Sequence, residues 1–309
     1  METETISFTA LYKFWERNTP GYKISNNTIP GEWETQVYSL SSYGRGTEEA
    51  LNYLYSKNPS FDAFIDWLGQ TKLSEQPAVF SDVSLTAEDL DFWDRNGYLV
   101  VKNAVAEEDA VAARNAIWQF LDADITDPAS WYKFHPEKKG LMLSFFQHTA
   151  LEVNRRAAKI RQVYRELYGE TDIYLLVDKV SFNPPETNFY TFAGSPLHWD
   201  VSLQLPIPFV LQGLLYLNDV TAADGAFHCV PGFHKNIDQW MAALPAGASP
   251  RVAALNELTP VAVPGKAGDL VIWHQALPHC ATPNKGKTPR MVQYITYKPV
   301  KTVTADIWK

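Results

Sequence analysis

The order of segments predicts an α+β fold, with helices in the N-terminal half and a sandwich or barrel of short strands in the C-terminal half. Two observations carry that reading. Before residue 170 the apolar residues recur mostly at helical spacing. After it come short β-branched and aromatic segments separated by Gly and Pro turns, without the strand–helix alternation of a doubly wound sheet. The chain has 309 residues, 46% hydrophobic and 20% charged, which excludes wholesale disorder, collagen and coiled coil.

Residues 1–84 are rich in aromatic side chains, among them Trp15, Trp33, Tyr53, Phe61 and Trp67, which implies packing rather than a free tail. Within residues 47–67 the apolar spacing is helical and interrupted at Pro59, predicting two short helices. A linker containing Pro77 follows at residues 74–84. Thr86 and Asp89 make a capping-box pair ahead of Leu90, Phe92 and Trp93, so a helix starts there. Asn96-Gly97 turns the chain into a strand over Tyr98–Val101. Helices are expected over residues 107–121 and 152–168, the second stopped by Gly169. Strands are expected over residues 173–182, 209–217, 226–230, 260–263, 269–274 and 290–298. Turns such as Asn183-Pro184-Pro185, Asp224-Gly225, Pro231-Gly232 and Pro264-Gly265 divide them.

Composition narrows the function. With 27 Lys+Arg against 35 Asp+Glu the net charge is −8, which argues against binding a nucleic-acid backbone. Cys229 and Cys280 are too few for a disulfide framework or a zinc ribbon. No run of apolar residues is long enough to span a bilayer and the first residues do not read as a signal peptide. A cytoplasmic location is therefore expected, where the sequon at Asn26-Asn27-Thr28 has no role.

The chemistry is carried by histidines. In His198-Trp199-Asp200, strand geometry sends the imidazole and the carboxylate to one face and Trp199 to the other. That supplies two thirds of a 2-His-1-carboxylate triad, the set that leaves iron(II) open positions. His135-Pro136-Glu137 has the same spacing but sits in a Lys-rich, Pro-broken loop and reads as solvated surface. The third ligand is His274 or His279. A hairpin centred between Asn284 and Lys285 would set His279 opposite Arg290, with Cβ atoms roughly 5 Å apart. A permanent cation would then stand one short dicarboxylate away from a metal-binding imidazole, so His279 is preferred. His234 reads as structural, His228 as core or pocket wall, Cys280 as a buried thiol and Asn284 as a turn residue.

These pieces, in this order, resemble the phytanoyl-CoA dioxygenase superfamily of iron(II)- and 2-oxoglutarate-dependent oxygenases. Residues 85–105 look like its N-terminal helix–turn–strand, and His198-Trp199-Asp200 matches its first metal motif. Val230-Pro231-Gly232-Phe233-His234 resembles its central segment. Gly268 to His274, followed by His279, Asn284 and Arg290, matches its C-terminal block. The resemblance covers residues 85–298 and implies a jelly roll, the cupin-like double-stranded β-helix, with flanking helices mainly from the N-terminal half. It divides the chain into an N-terminal helical extension, residues 1–84, packed on an oxygenase domain, residues 85–309.

The same resemblance implies a metal site of His198, Asp200 and His279 for Fe(II), and places the distal carboxylate of 2-oxoglutarate on Arg290. Lys179, Ser181 and Thr282 are further candidates for co-substrate contact. Relatives often carry a small hydroxyl residue where this chain has Ala281, which puts one such hydrogen bond in question. With O2 the implied reaction hydroxylates an aliphatic C–H of a small-molecule substrate and releases succinate and CO2. Related halogenases lack the carboxylate that Asp200 supplies, so hydroxylation is expected rather than halogenation. No nucleic-acid or membrane partner is expected, and the protein is read as a monomer or homodimer. Residues 131–148, aromatic and basic, could form a lid with Lys138 or Lys139 meeting an anion, and Gln212, Phe192 and Trp240 could line the pocket. Two other readings remain: a cupin-type iron oxygenase that does not use 2-oxoglutarate, and a non-catalytic jelly-roll binding protein.

Overall fold

The computed structural model describes residues 2–21, 31–70, 85–192 and 194–301. The expected linker at residues 74–84 and the sequon at residues 26–28 lie outside them. Four helices open the chain: α1 (Glu2–Asn18), α2 (Glu32–Ser42), α3 (Thr47–Lys57) and α4 (Phe61–Gly69). The last two are the pair expected around Pro59, and the Ser60 hydroxyl caps α4 by accepting from the Ala63 N–H at 3.3 Å. Leu11, Phe14, Leu40, Leu54, Phe64 and Leu68 form a core of their own beneath these helices.

The middle of the chain holds α5 (Ala87–Asn96), β1 (Tyr98–Val101), α6 (Glu107–Phe120), a small hairpin of β2 (Lys138–Lys139) and β3 (Met142–Leu143), α7 (Thr149–Arg155) and α8 (Ala158–Tyr168). The Thr86/Asp89 capping box and the left-handed Gly97 delimit α5 as the sequence implied. The single helix expected over residues 152–168 is instead two. Asn154 and Arg155 are fully buried and polar. The Arg155 guanidinium donates to the carbonyls of Phe146 (2.7 Å) and Asp178 (2.8 Å), and the Asn154 amide to Gln293 (3.0 Å). A break at Arg156–Ala157 lets α7 aim these groups inward while α8 lays Ile160, Val163, Tyr164 and Leu167 inward on its own line.

The remaining elements are β4 (Ile173–Leu176), β5 (Val180–Asn183), β6 (Leu211–Tyr216), β7 (Phe227–Cys229), α9 (Ile237–Ala243), α10 (Pro250–Glu257), β8 (Val261–Val263), β9 (Leu270–His274), β10 (His279–Ala281), β11 (Arg290–Tyr294) and β12 (Thr296–Pro299). A seven-stranded antiparallel sheet runs β1-β9-β6-β11-β5-β3-β2, a three-stranded sheet β10-β7-β8, and β12 pairs with β4. No described helix is long and apolar enough to cross a membrane.

Three strand expectations are corrected. The strands expected over residues 173–182 and 290–298 each divide, because ladder positions are taken by other groups. Ile295 donates its N–H to the Gly213 carbonyl (3.0 Å) and accepts the Tyr164 hydroxyl (2.7 Å), which separates β11 from β12. The Asp178 carbonyl, between β4 and β5, accepts from Arg155. Finally, the hairpin setting His279 opposite Arg290 does not form. His279 pairs with Cys229 and Arg290 with Asn183, in different sheets. Residues 282–289 cross between the sheets, pinned by Asn284, whose amide donates to the carbonyls of Asn183 (2.9 Å) and Thr288 (2.8 Å).

Period two sorts the seven-stranded sheet. Leu99, Phe182, Leu211, Leu215, Leu270, Ile272 and Met291 join a core with α6, α7 and α8. Their strand neighbours Leu214, Tyr216, Val271, Trp273 and Val292 join a second core with Phe227, Cys229, Val263 and Cys280 of the three-stranded sheet. Helices therefore cover one face and the small sheet the other, and Ser181, Gln212, Arg290 and Tyr294 share the parity of the inner face.

Two outcomes follow from this packing. A Cβ on Gly213 would lie 2.3 Å from the Tyr164 hydroxyl and 2.6 Å from the Ile295 carbonyl oxygen, so Gly213→Ala is expected to destabilise by about 1–3 kcal/mol in urea unfolding. His274 accepts the Ala276 N–H at Nδ1 (2.9 Å), and burial pushes its pKa down to about 4, with His234 acting in the same direction. Its folded pKa lies below an unfolded value of about 6.5, so its share of stability is complete above that pH and falls as pH drops toward 4. Between pH 7 and pH 5 the wild type is expected to lose on the order of 1–2 kcal/mol from this group, and His274→Gln to flatten that slope in unfolding measured at both pH values.

Candidate active site

One cavity of about 620 Å³ opens between the two sheets, lined by His198, Asp200, Gln212, Trp273, His279 and Arg290 among others. His198 is not on a regular strand, contrary to expectation. Its backbone instead exchanges hydrogen bonds with His279 of β10, at 3.0 and 2.9 Å, in an isolated bridge. The expected facing still holds. Trp199 turns into the core, where its indole N–H donates to the Ala276 carbonyl (2.9 Å) and its ring packs against Phe233 and Trp240. His198 and Asp200 face the cavity.

The three side chains converge. His198 Nε2 lies 3.3 Å from Asp200 Oδ1, and His279 Nε2 lies 3.2 Å from Asp200 Oδ2. One ligand atom from each falls within 4.8 Å of the others. Both Nδ1 atoms point the other way, to the carbonyls of Pro196 (2.8 Å) and Leu277 (3.2 Å). Such bonds, with the Ser195 hydroxyl 2.8 Å from His198 Nδ1, orient each ring so that Nε2 faces Asp200, and an Nε2 that gives up its proton would present its lone pair to a metal. The Asp200 carboxylate also accepts from Gln212 Nε2 (2.9 Å), whose Oε1 accepts the Trp273 indole N–H (3.0 Å). Burial would raise the Asp200 carboxyl, but hydrogen bonds from His198 and His279 and the charge of His279 hold it far below the usual carboxylate range. For His198 burial works downward and is outweighed by the bond and charge of Asp200, which raise it. Two imidazoles and a carboxylate that stays ionised fit a divalent iron with open positions.

Arg290 lies in the wall of the same cavity, buried and 1% exposed. Its Nη2 donates to the Ser181 hydroxyl (3.3 Å), its Nε has no partner, and no acidic side chain pairs with it among the described residues. Arg290 comes to the same cavity as His198, Asp200 and His279 through the inner face of β11 rather than through the expected hairpin. Tyr294, two residues on, lines the same wall, and burial raises its hydroxyl pKa.

Other expected residues separate. Lys179 lines the cavity but its ammonium is paired with Glu48 of α3. Thr282 does not line the cavity, and its carbonyl accepts from the Asn183 amide (3.2 Å). Gln212 is in place, whereas Trp240 is packed on Phe233 and Phe192 lines a neighbouring depression. Of the two readings of residues 131–148, a lid or a loop packed on the barrel, the packed one fits the structure, since β3 pairs with β5 and Lys139 to Met142 line the cavity. Lys138 lies over the rings of Phe182 (4.9 Å) and Tyr190 (5.8 Å), and burial lowers its pKa. Cys280 is a buried thiol whose pKa burial pushes up to about 11. Sequence reasoning missed Tyr294 and Glu48. The first shares a strand face with Arg290 and was open to detection by period two. The second carries no local signal.

Comparison with known proteins agrees with this geometry. The family model for phytanoyl-CoA dioxygenase (PhyH) matches residues 93–292, well over half of the chain. A Dictyostelium discoideum protein that carries a phytanoyl-CoA dioxygenase name is 23% identical over 268 residues, 70% of this chain and 76% of its own. Among solved structures, the epimerase SnoN in complex with Fe3+, alpha ketoglutarate and nogalamycin RO superposes with a TM-score of 0.51 at 19% identity, covering 70% of this chain and 84% of its own. HygX from Streptomyces hygroscopicus, with nickel and 2-oxoglutarate bound, gives a TM-score of 0.51 at 17% identity, covering 70% and 88%. EctD from S. alaskensis gives 0.51 at 20%, covering 75% and 84%. These likenesses are to the fold, and with a family match that spans His198, Asp200, His279 and Arg290, the chain belongs to the phytanoyl-CoA dioxygenase family.

Proposed function

We propose that this protein is a jelly-roll Fe(II)- and 2-oxoglutarate-dependent dioxygenase that hydroxylates an aliphatic C–H of a small organic molecule, releasing succinate and CO2. Arg290 is the observation that carries the reading. A guanidinium does not lose its charge in a protein, and a buried one with no acidic partner among the described residues calls for an anion. The anion that suits this cavity has a carboxylate for Arg290 and a chelating end for a metal. 2-Oxoglutarate has both.

In this reading His198, Asp200 and His279 would hold the iron with two imidazoles and a carboxylate. Gln212 steadies Asp200, and Trp273 steadies Gln212. Arg290 would take the distal carboxylate of the co-substrate, with Ser181 orienting the guanidinium. Iron, 2-oxoglutarate and O2 together supply the oxidising power that attack on an unactivated C–H needs. The protein's part is to align the target C–H and to keep bulk water from the inner face, which Leu214, Phe227 and Trp273 line.

The test starts with anaerobically iron-loaded protein. Addition of 2-oxoglutarate is expected to give a visible charge-transfer band, and later O2 to give slow succinate formation without added substrate. Arg290→Ala is expected to raise the 2-oxoglutarate concentration needed for half the band by roughly 100-fold while iron binding persists. His279→Ala and Asp200→Ala are expected to lose stoichiometric iron. Gln212→Leu, which leaves all three ligands, is expected to weaken iron affinity by about 10- to 100-fold in a chelator competition. Iron binding without the band would sink the 2-oxo-acid assignment and favour an iron oxygenase that works without one. Absence of metal binding would favour a non-catalytic jelly roll.

A further inference from the structure

The N-terminal extension precedes the stretch matched by the family, yet it reaches the cavity. Glu48, in the first turn of α3, lines the cavity beside Asp178 and Lys179. Its placement is fixed by close docking. A Cβ on Gly46 would fall 2.2 Å from the Val177 carbonyl oxygen, so the start of α3 lies flush against the connection between β4 and β5. Gln147 Nε2 donates to the Gly44 carbonyl (3.0 Å) and to Glu49 Oε2 (2.9 Å), and the Ser41 hydroxyl donates to the Leu175 carbonyl.

The charges left facing the cavity have a pattern. Lys179 binds Glu48 Oε2, while Glu48 Oε1 has no partner among the described residues. The Glu48 side chain is 40% exposed against 20% for Lys179, so the carboxylate is the more open member of the pair. An ionised carboxylate has about four acceptor sites, and one lysine leaves most of them free. The hairpin wall offers the opposite sign. Period two sends Lys138 onto the Phe182 ring and Lys139 toward the cavity. The Lys139 ammonium has no ion-pair or hydrogen-bond partner among the described residues, and pairing of Lys139 with Met142, beside β5, holds its backbone in place.

We propose that Glu48 is a specificity-determining residue, and that the cavity selects a small zwitterionic substrate with its cationic nitrogen at Glu48 and its acidic group at Lys139. This rests on the oxygenase reading above, in which Asp200 is committed to the metal and Arg290 to the co-substrate. The extension is then part of the active site and not an appended module.

The experiment uses the full chain loaded anaerobically with iron and 2-oxoglutarate, the loading followed by the charge-transfer band. Binding is measured by calorimetry for straight-chain ω-amino acids from glycine to 8-aminooctanoate, and for the alkylammonium and alkanoate of each length. At least one amino acid is expected to bind about tenfold more tightly than both of its singly charged counterparts. Glu48→Gln is expected to remove the advantage over the alkanoate and to leave alkanoate binding unchanged or tighter, because Lys179 is released. Lys139→Met is expected to remove the advantage over the alkylammonium. Lys179→Met keeps the Glu48 charge and removes its partner, so alkylammonium should bind more tightly. This variant carries the test if Glu48→Gln fails to fold. A series in which no amino acid exceeds its counterparts, a Glu48→Gln variant that weakens both charges alike, or a Lys179→Met variant without a gain for alkylammonium overturns the proposal. Absence of the band is a failure of the co-substrate reading, whereas a normal band with a flat series is a failure of this inference alone.

Discussion

His198 and His279 exchange two backbone hydrogen bonds, and that exchange holds an irregular segment against the edge of the three-stranded sheet. Among the described residues, no named strand lies between Asn183 and Leu211. The bridge therefore does locally what a continuous strand would have done. It fixes one imidazole beside the other, with ring centroids 4.6 Å apart, and brings Asp200 within reach of both. Trp199 is the second anchor. Its indole, 2% exposed and bonded to the Ala276 carbonyl, stops the segment from rotating. The carbonyls of Pro196 and Leu277 complete the arrangement by taking the Nδ1 side of each ring.

The rest of the cavity depends on the alternation of the seven-stranded sheet. One parity packs under α6, α7 and α8, and the other faces the small sheet. Because helices pack on the other face, polar residues of the inner parity turn toward the small sheet. Gln212, Arg290 and Tyr294 line the cavity from two strands, and Ser181 of a third strand, outside the lining, accepts from Arg290. Burial then sharpens their chemistry, since a guanidinium removed from water and left without a carboxylate binds an incoming anion more strongly than an exposed one. The extension adds the last wall. Its own core makes the helices a firm body, and the contacts of Ser41, Gly46 and Gln147 bring the first turn of α3 to the cavity edge.

Much of this was legible locally. The capping box at Thr86, the stops at Gly97 and Gly169, the helices either side of Pro59 and the position of most strands follow from side-chain chemistry within a few residues. The His198/Asp200 pair was legible because two residues are enough to fix a facing. What misled was contact between distant segments. The break after Arg155 exists because a buried guanidinium must reach carbonyls at Phe146 and Asp178. The absent hairpin exists only as a turn-shaped sequence, since Asn284 ties that segment to β5 and sends it to the other sheet.

Local sequence was enough for the class of the fold, for the family, and for singling out His198, Asp200, His279 and Arg290 as candidates, because those rest on local periodicity and on side chains whose chemistry has few other uses. The tertiary structure alone decided the route by which His279 and Arg290 come to one cavity, the withdrawal of Lys179 into a pair with Glu48, and the absence of Thr282 from the lining. The physical reason is common to all three. Sheet pairing and ion pairing between segments far apart in the chain depend on which faces are buried together, and no short window of sequence records that.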